Sequence, residues 1–427
     1  MKKALLTVLF LMTPFLMTPF LLMSQPAFKA LPELSFASLD RNHIIFEGDS
    51  SSFDSFFAKL DSVCLKGEGR VNILHLGGSH VQGGTMTRQL RNDLLSMGRG
   101  FGQADTMDAG PGFLFPFSAA KTNNPSHFKT RTEGSWKASR CIQKEPSAVL
   151  GLSGMAISTS DPQSSLKLVM EPRNRVEDDV TTSFDRMTVL GYSRAGNLTP
   201  IVVGESGDTI PGTAGDSCWV FRFPEPQDSV RIALAGDRGE FTLTGIFLDR
   251  AASCGITVSG VGVNGAGLLS YSRCVDFERD LELVRPDLAI LAVGINDASG
   301  PSFSADVFKE RYKALIARLK SVNPDCALLF VTNNDSYRRS RKRGYYVNQN
   351  GPKARQAFLE LGRECGGGVW DQFEIMGGLE SMKKWESAGL ARKDKVHFTD
   401  DGYFLLGDLL YNALMEKYVE HLNRNSL

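Results

Sequence analysis

Cysteine is sparse and unpatterned in this chain of 427 residues: Cys64, Cys141, Cys218, Cys254, Cys274, Cys326 and Cys365 show no metal-ligand spacing. An odd number scattered over so long a chain does not make a disulfide framework, so buried free thiols are the expectation. Net charge is missing as well. Lysine plus arginine equals aspartate plus glutamate, 48 each, which leaves no global field for a nucleic acid to follow. Beyond the N-terminal segment no apolar run is long enough to cross a bilayer, and no long apolar stretch offers itself as a lid over a lipid cleft. These absences argue against a cysteine-ligated metal site, a nucleic-acid binder and a multi-span membrane protein.

What remains is ordinary globular composition, 42% apolar and 22% charged, in a length that accommodates two or three domains. The first 26 residues read as a secretory signal, with Lys2-Lys3 as the charged start and Ala4 to Met23 as the apolar stretch. Cleavage is expected near Ser24 to Ala27, which exports the protein to a periplasm or cell surface. An uncleaved membrane anchor is the alternative, although Pro14 and Pro19 weaken it. No cysteine sits at the cleavage region, which argues against a lipid-modified N-terminus.

The most informative run is Leu74-His75-Leu76-Gly77-Gly78-Ser79-His80, which ends an apolar strand on a glycine pair followed by serine. Strands that break into glycine and then feed a helix expose a nucleophilic hydroxyl in α/β enzymes. The helix that presents its N–H groups to this serine is expected near Thr85 to Ser96. Gly-Gly-Ser is also a common loop, so the run needs support from elsewhere. Downstream, Gly260-Val261-Gly262-Val263-Asn264-Gly265 ends a strand from about Gly255. Leu288 to Val293 is a second buried strand, closing on Gly294-Ile295-Asn296-Asp297. Asp394-Lys395-Val396-His397 precedes an amphipathic helix from about Asp401 to His421.

In order these are Gly-x-Ser, Asn-Gly, Gly-x-Asn-Asp and Asp-x-x-His, a series that resembles the four blocks of the SGNH, or GDSL, hydrolase superfamily. The resemblance covers roughly residues 70–100 and 254–421. It implies Ser79 as nucleophile, His397 as its general base and Asp394 as the carboxylate orienting His397. It also implies an oxyanion hole made of the Ser79 and Gly265 backbone N–H groups and the Asn296 amide. Gly78 stands where the family commonly has aspartate, which puts the rate in doubt more than the reaction class. Asp297 is expected to orient its loop. His80 either lines the site or is incidental. No metal or organic cofactor is needed.

From about Cys141 to Asp249 the texture changes to short alternating runs punctuated by Gly, Pro, Asp and Asn, the pattern of a β-sandwich. The expected organisation is a signal at 1–26, the first part of the hydrolase domain at 27–140, the insert at 141–250 and the second part at 251–427. The fold class is α/β: a three-layer, flavodoxin-like parallel-sheet core with an inserted jelly-roll, carbohydrate-binding-like sandwich. The aromatic stretch Gly98 to Phe117 is a wall of the site or, preferably, a packing surface between domains. The run Tyr337-Arg338-Arg339-Ser340-Arg341-Lys342-Arg343 leaves a strand at the edge where the blocks gather. Arg338, Arg339 and Arg341 there either meet an anionic glycan or form a solvated loop.

An insert at this point resembles peptidoglycan O-acetylesterases. The expected function is therefore a secreted serine esterase that deacetylates a cell-envelope or other polysaccharide, its partner being an acetylated glycan. An O-acetyltransferase of the same fold and a catalytically degenerate glycan-binding protein are the alternatives. Oligomeric state is not legible.

Overall fold

The computed structural model describes residues 28–100, 107–171, 182–204, 206–251, 254–342 and 344–425. The expected signal, 1–26, and Arg343 lie outside the described residues. The core is a six-stranded sheet in the order Ile44–Ile45, Gly368–Trp370, Ala327–Val331, Leu288–Ala292, Arg70–Gly77, Gly255–Gly262. All neighbours pair in parallel except Ile44–Ile45, which runs antiparallel to Gly368–Trp370. That edge strand has two residues, too few to show a period in the sequence.

Parallel strands covered on both faces must be apolar throughout, and Leu288–Ala292 and Ala327–Val331 are. Alternation along Arg70–Gly77 sends Val71 and Ile73 to one face and Leu74 and Leu76 to the other. The first face packs on helices Ser51–Asp61, Thr85–Gly100 and Asp400–Asn425. The second packs on Phe277–Val284, Ala305–Val322 and Gly351–Cys365. Each large apolar side chain fully buried in these layers contributes roughly 1.5–3 kcal/mol of transfer free energy. No helix among the described residues is long and apolar enough to cross a membrane, and none of the seven cysteines is bridged.

The insert is two antiparallel sheets. One runs Thr209–Pro211, Thr199–Val203, Ser229–Ala235, Ser165–Met170, Phe128–Glu133; the other runs Thr213–Gly215, Cys218–Gln227, Phe184–Arg194, Glu240–Asp249, Met155–Thr159, Lys137–Arg140. The sheets therefore begin before the expected boundary at 141. Phe128–Glu133 and Lys137–Arg140 each close an edge, and Gly112–Leu114 adds to Glu240–Asp249. Phe113, Phe115 and Phe117 are buried in the core shared by the sandwich and the parallel sheet, so this end of the aromatic stretch is a packing surface.

Two buried carboxylates tie the insert down. Asp249 accepts from Arg186 Nε at 2.8 Å and from Arg70 Nη1 at 3.0 Å. Asp280, on the helix Phe277–Val284 of the core, accepts from the Leu152 N–H of the insert at 3.1 Å and pairs with Arg279.

Candidate active site

The strand Arg70–Gly77 gives way at Gly78 to a four-residue helix, Ser79–Gln82. Only after Gly83-Gly84 does the long helix Thr85–Gly100 begin. Ser79 thus opens the short helix and not the long one expected near Thr85, because the second glycine pair interrupts the run.

The loop before the last helix brings Asp394 and His397 to this point. Ser79 Oγ lies 2.9 Å from His397 Nε2, and His397 Nδ1 lies 2.9 Å from Asp394 Oδ2. With the proton on Nδ1 donated to Asp394, Nε2 is free to accept the Ser79 hydroxyl proton. Asp394 Oδ1 accepts the backbone N–H groups of Val396 and His397, both at 2.9 Å. Burial works against ionisation of Asp394, but the bonds from His397 and Val396 outweigh it and hold the carboxyl below its ordinary value. The site is open: the His397 and Asp394 side chains are 33% and 45% exposed.

The three expected oxyanion donors come from separate loops that meet at Gly78. A Cβ placed there would sit 3.3 Å from Asn296 Nδ2 and 3.4 Å from the Ala266 carbonyl, so the missing side chain lets both loops close on the serine turn. Gly265 has φ +81°, a left-handed conformation that leaves its exposed turn without a Cβ. Asn296 Nδ2 donates to the Ala266 carbonyl at 2.9 Å, which joins the two donor loops. Asp297 joins them again by accepting the Leu268 N–H at 3.2 Å.

His80 points away from the open side. Its Nδ1 is hydrogen-bonded to Tyr403 Oη at 2.8 Å and its ring lies 5.1 Å from that of His397. Burial, followed by the nearby His397, pushes its imidazole down to about 3, so it stays neutral and supports His397 by packing. Arg338, Arg339 and Arg341 make no hydrogen bond or ion pair with Ser79, Asp394 or His397 among the described residues; they stand on a ribbon discussed below.

Three supporting residues escaped sequence reasoning. Gln82, almost fully buried, accepts the Asn264 N–H at 2.7 Å and donates to Thr122 Oγ1 at 3.0 Å, locking the Gly265 turn to the serine helix. Tyr271 Oη donates to the Gly77 carbonyl at 2.7 Å. Tyr403 holds His80. Only Gln82 left a signal, lying three positions from Ser79 on one helical turn. No group of three or more metal-ligating side chains occurs among the described residues.

Residues 235–405 match the GDSL-like lipase/acylhydrolase family. The match begins at the end of the strand Ser229–Ala235 of the insert and includes Gly265, Asn296, Asp394 and His397; Ser79 lies upstream of it. A structure of peptidoglycan O-acetylesterase superposes with a TM-score of 0.69 at 23% identity, covering 88% of this chain and 99% of that one. Looser similarity extends to an acetyl xylan esterase, AlAXEase, with a TM-score of 0.30, 20% identity and coverage of 38% of this chain and 81% of that one. It extends also to a family two carbohydrate esterase from Cellvibrio japonicus, with a TM-score of 0.26, 14% identity and coverage of 69% and 99%. The comparison with curated proteins found no match. The match over residues 235–405 and the shared fold give this chain a core similar to the GDSL-like lipase/acylhydrolases, with a β-rich domain inserted in it.

Proposed function

We propose that the protein is an exported serine esterase that removes O-acetyl groups from a polysaccharide of the cell envelope, with peptidoglycan as the foremost candidate. The observation that carries this reading is the continuous relay from Ser79 Oγ through His397 to Asp394, with both links at 2.9 Å. In the proposed cycle Ser79 Oγ attacks the acetyl carbonyl carbon while His397 Nε2 takes the hydroxyl proton. The Ser79 and Gly265 N–H groups and the Asn296 amide receive the developing oxyanion. As the tetrahedral adduct collapses, His397 returns the proton to the departing sugar oxygen and acetyl-Ser79 remains. Water, deprotonated by His397, then attacks the acetyl carbon, and acetate leaves as the Ser79 Oγ–carbon bond breaks and His397 returns the proton to Ser79 Oγ.

The open site favours a polymer over a small lipid, since a glycan strand must lie across the nucleophile without threading a tunnel. The relative at TM-score 0.69 is a peptidoglycan O-acetylesterase, which makes acetylated peptidoglycan the first substrate to try. Residues 1–26, read as a signal, would deliver the enzyme there. Acetate release from an activated acetyl ester and from O-acetylated peptidoglycan, by wild type and Ser79→Ala, tests the proposal. Serine-dependent release from both substrates supports it, and full activity of Ser79→Ala sinks it.

A further inference from the structure

Between the strand Ala327–Val331 and the helix Gly351–Cys365 the chain leaves the core as a two-stranded ribbon. Tyr337–Ser340 pairs antiparallel with Gly344–Val347 and with no other strand among the described residues. An isolated hairpin is marginal in water, so its base must be held, and both legs are. The Tyr337 N–H donates to the Lys395 carbonyl at 3.0 Å, inside the loop that carries Asp394 and His397. On the other leg the Asn348 and Asn350 amides donate to the Ala298 carbonyl at 3.2 and 3.0 Å, two residues from Asn296. The ribbon therefore rises from the rim of the candidate site, clamped to two of its loops.

Its surface is unusual for a structural hairpin. The register sets Arg338 opposite Tyr346 and Arg339 opposite Tyr345, on alternate faces. Each guanidinium lies over its partner's ring, 5.7 and 5.8 Å from the centroid, and the Lys395 ammonium lies 4.9 Å from the Tyr345 ring. Arg341 and Lys342 are exposed at the turn. Among the described residues, none of Arg338, Arg339, Arg341 and Lys342 has a carboxylate partner, whereas Lys395 below them pairs with Glu386 at 2.6 Å. Four cations without a carboxylate partner on a marginal ribbon repel one another, and only two of them gain a ring contact in return.

We propose that this ribbon is a docking arm for the carboxylate groups of the polymer substrate. Guanidinium forks grip carboxylates in two parallel bonds, and the tyrosine faces offer flat apolar surface to sugar rings. The substrate class is thus an acetylated glycan that bears carboxylates, on its sugars or on attached peptides, in preference to a neutral acetylated glycan. This inference rests on the esterase reading of the same site.

The test separates the two by measuring binding without turnover. Ser79→Ala protein is mixed with O-acetylated peptidoglycan, whose carboxylates are on peptides, with acetylated polygalacturonate, whose carboxylates are on sugars, and with neutral acetylated mannan. Retention by at least one carboxylate polymer at low salt, its loss at high salt and no comparable retention by mannan are expected; the polymer retained names the source. Adding Arg338→Gln, Arg339→Gln, Arg341→Gln and Lys342→Gln should lower that retention about tenfold or more. Arg341→Gln with Lys342→Gln alone keeps both Arg–Tyr pairs and should still lower it, which separates lost charge from a collapsed ribbon. Undiminished retention by the fourfold variant, or equal retention by mannan, overturns the arm. Absence of serine-dependent acetate release beside intact, arm-dependent binding overturns the esterase reading instead.

Discussion

Replacing His75 by glutamine isolates one source of acid sensitivity. His75 lies in the middle of the strand that ends at the nucleophile and is 1% exposed. Its Nδ1 is 2.8 Å from Thr87 Oγ1, and Nε2 has no protein partner among the described residues. Burial pushes the imidazole down from 6.5 to about 4. Between those two values the unfolded chain binds a proton that the folded chain refuses, so stability rises with pH across the window. The contribution is complete above about pH 6.5 and is lost as the pH falls toward about 4. At about pH 5, some 1.5 units below the unfolded value, the loss is ~2 kcal/mol. Urea unfolding of wild type and His75→Gln at about pH 7 and pH 5 reads it, because every other titrating group is common to both proteins and cancels. Wild type should lose ~2 kcal/mol more than the variant over that interval, whatever their difference at neutral pH. Equal losses would refute the argument that this imidazole is buried neutral.

Three further outcomes follow from the geometry. Asn296→Ala removes one oxyanion donor and should lower kcat toward an activated acetyl ester on the order of 10²–10³-fold with little change in KM. Gly265→Ala meets no atom within 4 Å but must hold φ at +81°. It should cost ~1–2 kcal/mol in denaturant unfolding and lower kcat by displacing the donor N–H. Asp280→Ala strips the tie between insert and hydrolase helix and should destabilise the protein by roughly 3 kcal/mol, read as a fall in urea midpoint. A variant as stable as wild type would show that the tie carries no net energy.

Much of the architecture was legible because burial on both faces writes itself as continuous apolar runs. The strand expected at Leu288 to Val293 runs Leu288–Ala292, and the one expected from about Gly255 runs Gly255–Gly262. The candidate triad was legible through order and spacing, Asp394 and His397 being three positions apart on one loop. The start of the insert was not. Phe128–Glu133 buries only Phe128 and Thr130, and Lys137–Arg140 buries only Ser139, so neither shows an apolar stripe. Asp280 reads as any acid on an amphipathic helix until Leu152 is folded against it. Tyr271 and Tyr403 act through partners far away in sequence, and no local pattern announces such a bond.

The place of the strand Arg70–Gly77 has a consequence for how the protein comes into being. It is the first parallel strand to be synthesised, yet it lies inside the sheet between Leu288–Ala292 and Gly255–Gly262, both made only after the whole insert. Until then its backbone has no parallel neighbour and its Leu74/Leu76 face lacks the helices Phe277–Val284, Ala305–Val322 and Gly351–Cys365 that cover it, a state that invites misassociation and chaperone binding. Ser79 waits longer still, since its hydrogen-bond partner His397 is 318 positions away. A chain that is truncated, or caught partway through synthesis, carries the serine without its base. The candidate relay is thus complete only once the loop before the last helix has been made.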